Sequence, residues 1–392
     1  MLKKALTVEI ILLFLLSSSF SFVSSYEVST NNIIYVDDDG NADYTRIQDA
    51  IDHASDGDTI SVFNGVYYEQ LTINTSVILL GENKNTTIID GNNTDGNVIT
   101  IYVDDVTISG FTIQNSGRQI GDSGVVIYSD YDNIKENIIC NNGYKRYYFN
   151  QGGIILYECS HNRIENNLIT KNRETGIYLH FATNNTIQNN ILYDNTYLGV
   201  VSNESSYNQI IQNEVYENIC GMTYWPYSSH NTISNNYVHE HPGCGIAIKM
   251  YSDYNIIQYN KLINNLEWGI MLGFGPTQHT TVEYNMISGT TGGQQNWFDG
   301  TGLVVSIAYF NTIRYNNFIE NKYDVYLENS LFNKWEQNYW DTYLGNGPKI
   351  IKGHFAKPYT YHPETKIPWF ALDWHPAREP NDIPSWGRLT GK

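Results

Sequence analysis

Three things are scarce in this chain of 392 residues. Its four cysteines, Cys140, Cys159, Cys220 and Cys244, are too few to frame a disulfide-built fold. Basic side chains are outnumbered, with 23 Lys and Arg against 41 Asp and Glu and a net charge of -18. Such a surface repels nucleic acid and other polyanions unless cations bridge them, so no nucleic-acid partner is expected. Long apolar runs are missing beyond the N-terminus: no later segment approaches the 18 or so consecutive apolar residues of a membrane helix. The one apolar run, Ala5 to Leu16, follows Lys3 and Lys4 and precedes small residues ending at Val23-Ser24-Ser25. That layout predicts a secretory signal peptide over 1–25, with an uncleaved N-terminal anchor as the alternative. Removing Lys3, Lys4 and Glu9 takes the charge from -18 to -19 (-18 - 2 + 1), and the mature chain is expected outside the cytoplasm, secreted or at the cell surface.

Tyrosine, at 32 residues, and asparagine are abundant, which favours exposed β-structure over helices. Self-similarity then organises the chain. A glycine opening an apolar alternation recurs at Gly124, Gly153, Gly176, Gly199, Gly221, Gly245, Gly269 and Gly302, most often 22 to 24 residues apart. Each unit reads G-I-x-L, then N-x-I-x-x-N-x-I-x-x-N, as in GIILYECSHNRIENNLITKN from Gly153 to Asn172. The alternation gives three short strands per unit, none able to bury its apolar side alone. A chain of such units stacks as a coil whose rungs lie about 4.8 Å apart. Asn162 and Asn167 are expected at tight corners, where Asn tolerates left-handed backbone, and stacked Asn amides are expected to bond up and down the coil. The inward residues should include Ile154, Leu156, Ile164 and Ile169.

A leucine-rich repeat has a similar period but needs L-x-x-L-x-L, which is absent. The N-x-I-x-x-N-x-I-x-x-N rungs over about 59–340 are instead similar to the right-handed parallel β-helix of NosD-type proteins and of carbohydrate-binding and sugar-hydrolysis (CASH) domains. The resemblance implies an all-β solenoid of about eleven rungs. The segment YTRIQDAIDHASDGDTISV, with Ile47, Ala50, Ile51 and Ala54 on one helical face, predicts an amphipathic helix plugging the first rung, within a lead-in spanning 26–58. With Gly65-Val66-Tyr67-Tyr68-Glu69 after it, this stretch resembles the opening of pectin methylesterases, whose catalytic stretches are absent downstream. The region 341–392 is aromatic and proline-rich, and its NYW start resembles the ends of archaeal secreted NosD-like proteins. Trp369, Phe370, Trp374 and His375 are expected to form a cap over the last rung.

In a solenoid the chemistry must lie on outward columns and long corner loops, because everything inward is core. Two insertions, 143–152 and 291–301, interrupt the period at the same corner, roughly 29 Å apart at the strand spacing. Between them the outward first-strand positions Tyr178, His180, Trp225 and Lys249 are candidate ligand contacts: aromatic rings stack on sugars and the polar groups bond hydroxyls. The structural reading of the same residues is that Tyr simply suits strands and stacks on itself. A run of aromatics and His from Tyr131 through His161, Tyr207 and His230 to Phe332 reads as a purely structural stack. Asp194, Glu217 and Glu240 are expected in one outward column of the third strand on consecutive rungs, at the spacing of a retaining glycosidase pair, and are the candidate catalytic carboxylates if the protein is an enzyme. Their column could also recruit Ca²⁺. Cys220, His239, His241 and Cys244 form a candidate zinc or copper ligand set, although no cofactor is required by the fold. The G-H-G and R-x-K strings of polygalacturonases do not occur, and none of those outward first-strand positions is the Arg of pectate lyases.

These features lead to an expectation of a non-catalytic carbohydrate-binding module whose partner is a polysaccharide or cell-surface glycan. The alternatives are a polysaccharide lyase or glycoside hydrolase, a purely structural surface protein, and a copper-handling accessory protein, since NosD proteins are linked with copper maturation. At a charge of -19 an acidic glycan should bind poorly without divalent cations.

Overall fold

The computed structural model describes residues 31–144, 151–293, 298–356 and 366–383. The expected signal peptide, and the tips of both insertions at 145–150 and 294–297, lie outside them.

Each repeat unit becomes three short strands. One unit supplies Thr175–His180, Thr186–Gln188 and Ile191–Tyr193. Each strand pairs in parallel with its counterpart one unit later: Ile177 with Val200, Ile187 with Ile210 and Leu192 with Val215. Three faces result, termed first, second and third in that order. Among the described residues the second face counts thirteen strands, from Ile33–Val36 to Lys334–Glu336. The parallel β-solenoid therefore has about thirteen turns, two more than the repeat template suggests. Its earliest rungs, such as Ile33–Val36 on Thr59–Val62, coil without the glycine and asparagine signature that begins at Gly124.

Alternation sets the core. Ile154, Leu156, Ile164 and Ile169 point inward and are fully buried, as their positions in the repeat require. Each such side chain contributes about 1.5–3 kcal/mol by leaving water. Glycine opens each first strand because consecutive rungs approach too closely for a side chain. A Cβ on Gly176 would lie 2.7 Å from the Gly199 carbonyl oxygen, and one on Gly245 would lie 2.5 Å from that of Gly269.

The asparagines are more deeply built in than corner residues. In the second ladder Asn167 N–H donates to Asn190 Oδ1 (2.9 Å) and Asn190 N–H to Asn213 Oδ1 (2.9 Å). The Asn190 amide also donates backwards to the Ile164 carbonyl (2.8 Å) and forwards to Asn213 Oδ1 (3.0 Å). Asn162, Asn167, Asn185 and Asn190 are buried. The left-handed residue is the one before each ladder asparagine: His161 (φ 62), Asn166 (φ 57) and Asn189 (φ 56). The expectation that Asn162 and Asn167 supply the left-handed corner is thus corrected by one position. The division of labour has a physical basis: the left-handed residue turns its side chain out, while the next one enters the core and must satisfy buried backbone groups. At the first-to-second corner the left-handed residue is often aromatic, a costly choice for a bulky side chain. Ring stacking offsets it, as in Tyr207–His230 at 4.8 Å and 4° and His230–Tyr254 at 5.0 Å and 2°.

Both ends are closed. The helix Ile47–His53 buries Ile47, Ala50 and Ile51. Its first amides are capped from the next rung, where Glu69 Oε1 accepts from Ile47 N–H (2.8 Å) and Oε2 from Gln48 N–H (3.1 Å). In the same G-x-Y-x-E stretch, the Tyr67 hydroxyl donates to the Phe63 carbonyl (3.0 Å). That motif therefore serves the cap. At the far end an antiparallel hairpin of Lys349–Phe355 and Ile367–Asp373 lies on the last turn. Trp335 and Trp340, with Ile351, make the aromatic closure. Trp369, Phe370 and Trp374 remain exposed at its rim, where they and Phe332 line a groove of about 340 Å³.

Candidate functional site

The first face is broad enough to carry outward columns. The outermost runs Tyr157, His180, Asn203 in register. Tyr102, Tyr128, Tyr157 and His180 form one aromatic row along it, with successive ring centroids 5.2, 5.5 and 4.9 Å apart. Further along, Lys249 Nζ stands 4.9 Å from the Trp225 ring centroid and 5.5 Å from that of Phe274.

Tyr178 lies in the neighbouring column, between Ile155 and Val201, and is only 6% exposed. Its hydroxyl is nevertheless held at the outer row. Asn203 Nδ2 donates to it (3.1 Å) and also reaches His180 Nδ1 (3.1 Å), while the hydroxyl itself is 3.3 Å from His180 Nδ1. Burial holds the His180 imidazole below its ordinary pKa, against the opposing pull of Glu204 and Glu158, so at neutral pH the ring is uncharged and can donate or accept. Tyr178, His180, Trp225 and Lys249 thus share a face but fall into a hydrogen-bonded pair and a cation–aromatic pair. Asn203, which joins the first pair, was missed by pattern reading. Its register with His180 one rung earlier was the available signal.

Part of the second insertion lies over the face. Phe298 meets Tyr326 edge-on at 4.7 Å, Phe274 at 5.9 Å and Trp268 at 6.3 Å. The outward Met271 and Val304 are fully buried in the same apolar cluster. The predicted open trough is therefore covered by Phe298 at the later rungs.

The candidate carboxylates come from corners and not from a strand. Asp194 (φ 53), Glu217 (φ 51) and Glu240 (φ 57) are left-handed residues directly after the third strand of consecutive units, exposed to solvent. Their column borders His239, whose Nδ1 is 3.6 Å from Glu240 Oε2 and whose Nε2 is 3.4 Å from Glu214 Oε1. His239 is packed flat against Tyr237 (4.0 Å) and Tyr216 (4.9 Å). Burial, then the tyrosine and carboxylates around it, push the Tyr216 hydroxyl up to about 12.

The proposed metal ligands do not converge. His241 takes an asparagine's place inside the third ladder, with Nε2 3.1 Å from the Val215 carbonyl and Nδ1 2.9 Å from that of Asn218. His239 faces out into its carboxylates. Cys220 and Cys244 contact each other, the Cys244 N–H donating to Cys220 Sγ (3.1 Å). The hydrogen bond from Cys244 and the nearby Lys249 hold the Cys220 thiol below its ordinary pKa, whereas burial pushes that of Cys244 up. Among the described residues no group of three or more His, Cys, Asp or Glu side chains is placed to hold a metal ion. These residues do not fit a copper centre of the four-ligand kind.

Residues 51–242 match the family described as periplasmic copper-binding protein (NosD), and 224–339 match the right-handed β-helix region. No curated protein is significantly similar to the chain. Among solved structures the fold is similar to that of the Dettilon tailspike protein, at 17% identity and a TM-score of 0.61 over 77% of this chain and 67% of that one. It is similar too to a mannuronic acid-specific family 6 polysaccharide lyase from human gut microbiota, at 14% identity and 0.57 over 79% and 80%. A third likeness is to a lacto-N-biosidase from Eubacterium ramulus, at 11% identity and 0.56 over 77% and 67%. At these identities the likeness is one of fold. With the rungs, the ladders and both family matches in agreement, the chain is a NosD-like parallel β-helix protein.

Proposed function

We propose that the protein is a carbohydrate-binding β-helix module that works outside the cytoplasm and does not turn its ligand over. The observation that carries this reading is the continuous row Tyr102, Tyr128, Tyr157 and His180, which runs into the Tyr178–Asn203–His180 hydrogen-bonded node and on to Trp225 and Lys249. Aromatic surface beside directional donors and acceptors is what a sugar needs, since its two ring faces are apolar and its rim is hydroxylated. A net charge of -18 favours neutral or cationic glycans along this face. The description of the matched family as periplasmic supports the location, and no helix among the described residues is long and apolar enough to cross a membrane. Two structural neighbours whose names denote glycan-active enzymes, the lacto-N-biosidase and the polysaccharide lyase, add a substrate class and no more. Against catalysis stands the exposure of Asp194, Glu217 and Glu240 along one corner column, where among the described residues no enclosed cleft would exclude water from a reacting bond. A glycan array followed by reducing-sugar release on every hit tests both halves. Binding without release is expected, whereas release abolished by Glu217→Gln makes the protein an enzyme, a polysaccharide lyase or glycoside hydrolase.

A further inference from the structure

A second site lies away from the first-face row, where the C-terminal hairpin meets the last turn. A cleft of about 270 Å³ opens between the chain segments 321–325 and 349–352, with Trp340 and Thr342 in its wall. Three of the chain's 23 basic residues, Lys322, Lys349 and Lys352, line it against a single lining carboxylate, Asp324. The local charge is therefore positive in a protein whose total is -18.

The three lysines have different tasks. Lys349 is committed to structure: its Nζ contacts Asp324 Oδ2 at 3.3 Å and stands 5.4 Å from the Trp340 ring centroid and 5.6 Å from that of Tyr343. Lys322 and Lys352 are exposed, and among the described residues neither has a carboxylate at ion-pair distance. Lys322 Nζ stands 5.4 Å from the exposed Tyr323 ring. Asp324 holds Thr342 Oγ1 (2.8 Å) and Lys349 through Oδ2, while its Oδ1 is buried with no hydrogen-bond partner. A buried acceptor left open at a cleft wall is costly unless a donor arrives.

We propose that this cleft binds a single carboxylate-bearing sugar, a hexuronate residue. Lys322 and Lys352 take the carboxylate, the open Asp324 Oδ1 accepts a ring hydroxyl, and Tyr323 offers an aromatic face. The volume falls just below the usual range for ligand sites, which suits one ring and not an oligosaccharide. A long polyuronate would meet the acidic surface around the cleft, so the terminal residue of a chain or a free uronate is the fitting ligand. This cleft is independent of the first-face reading and stands or falls without it.

The test is saturation-transfer NMR and calorimetry on the full chain, with galacturonic acid, glucuronic acid, glucose and acetate as probes. A uronate should bind with an affinity that weakens as salt is raised, and glucose should not compete with it. The double variant Lys322→Gln/Lys352→Gln should lower uronate affinity at least tenfold while keeping the wild-type melting curve. Trp225→Ala, which disturbs only the first face, should leave it unchanged. Uronate binding that is absent, or that survives the double variant, overturns the site. Acetate binding as tightly as the uronate overturns its assignment to a sugar.

Discussion

Asn338 ends the second asparagine ladder, and Asp373 stands where the next asparagine would be. The Asn338 backbone N–H and its side-chain amide both donate to Asp373 Oδ2, at 3.0 and 3.1 Å. The same carboxylate takes Gln337 N–H (3.1 Å) and Trp340 Nε1–H (3.2 Å), and Asp373 is fully buried. One side chain from the hairpin thus supplies the acceptors that a further rung would have supplied.

Asp373→Ala should therefore strand three buried donors, two on Asn338 and the Trp340 indole, and cost about 3 kcal/mol or more, since each orphaned group costs about 1–3 kcal/mol. Because a solenoid's turns depend mainly on their neighbours, the loss should be local. Hydrogen exchange should show lost protection over 334–340 with the central rungs unchanged. Asp373→Asn, which keeps an amide oxygen in place, should recover much of it. Uniform loss across all rungs would contradict the capping role.

The first ladder begins with an acid in an asparagine's position. Asp132 is fully buried, accepts from Val106 N–H (2.8 Å) and Ser129 Oγ–H (2.6 Å), and burial pushes its carboxyl up to about 7. With the folded value above the unfolded one, the associated stability is fully present below about pH 4 and is lost as pH rises through about 7. Asp132→Asn should remove this dependence. The variant should match the wild type near pH 4 and be more stable by about 2–4 kcal/mol at pH 8.5, read by urea unfolding at both pH values. Equal stability at pH 8.5 would rule out a strained carboxylate.

His241 works in the opposite sense. Burial lowers its pKa to about 4, so the fold holds the neutral ring. The unfolded chain takes up a proton below about 6.5 and the folded one does not until about 4, so stability falls as pH drops through that window. His241→Asn restores the ladder residue and should flatten the acid limb by up to about 3 kcal/mol between pH 6.5 and 4. Unfolding curves that remain parallel to the wild type across this window would exclude His241 as the cause.

Trp225→Ala tests the proposed first-face site. Removing the ring should weaken neutral-glycan binding by about 1–3 kcal/mol, the scale of burying a large aromatic. Thermal unfolding should hardly change, because Trp225 packs at the edge of a surface cluster and against Lys249. Unchanged binding, or a collapse in melting temperature, would make Trp225 part of the scaffold.

The sequence alone determined the solenoid, because its period, opening glycines and asparagine columns are local repeats that only coil-on-coil stacking satisfies. It could also place Ile154, Leu156, Ile164 and Ile169 inside, since a strand's alternation needs no partner to be read. Tertiary structure decided which residue at a corner turns left-handed and which enters the ladder, a shift of one position that composition does not show, as His161 and Asn162 illustrate. It also decided that His241 points into the ladder while His239, two residues earlier, points out between Glu214 and Glu240. The functional surfaces were the least legible for the same reason. Tyr178 and Asn203 are 25 residues apart, and Lys322 and Lys352 are joined by no motif, so each grouping exists only where rungs or the closing hairpin bring distant chain together.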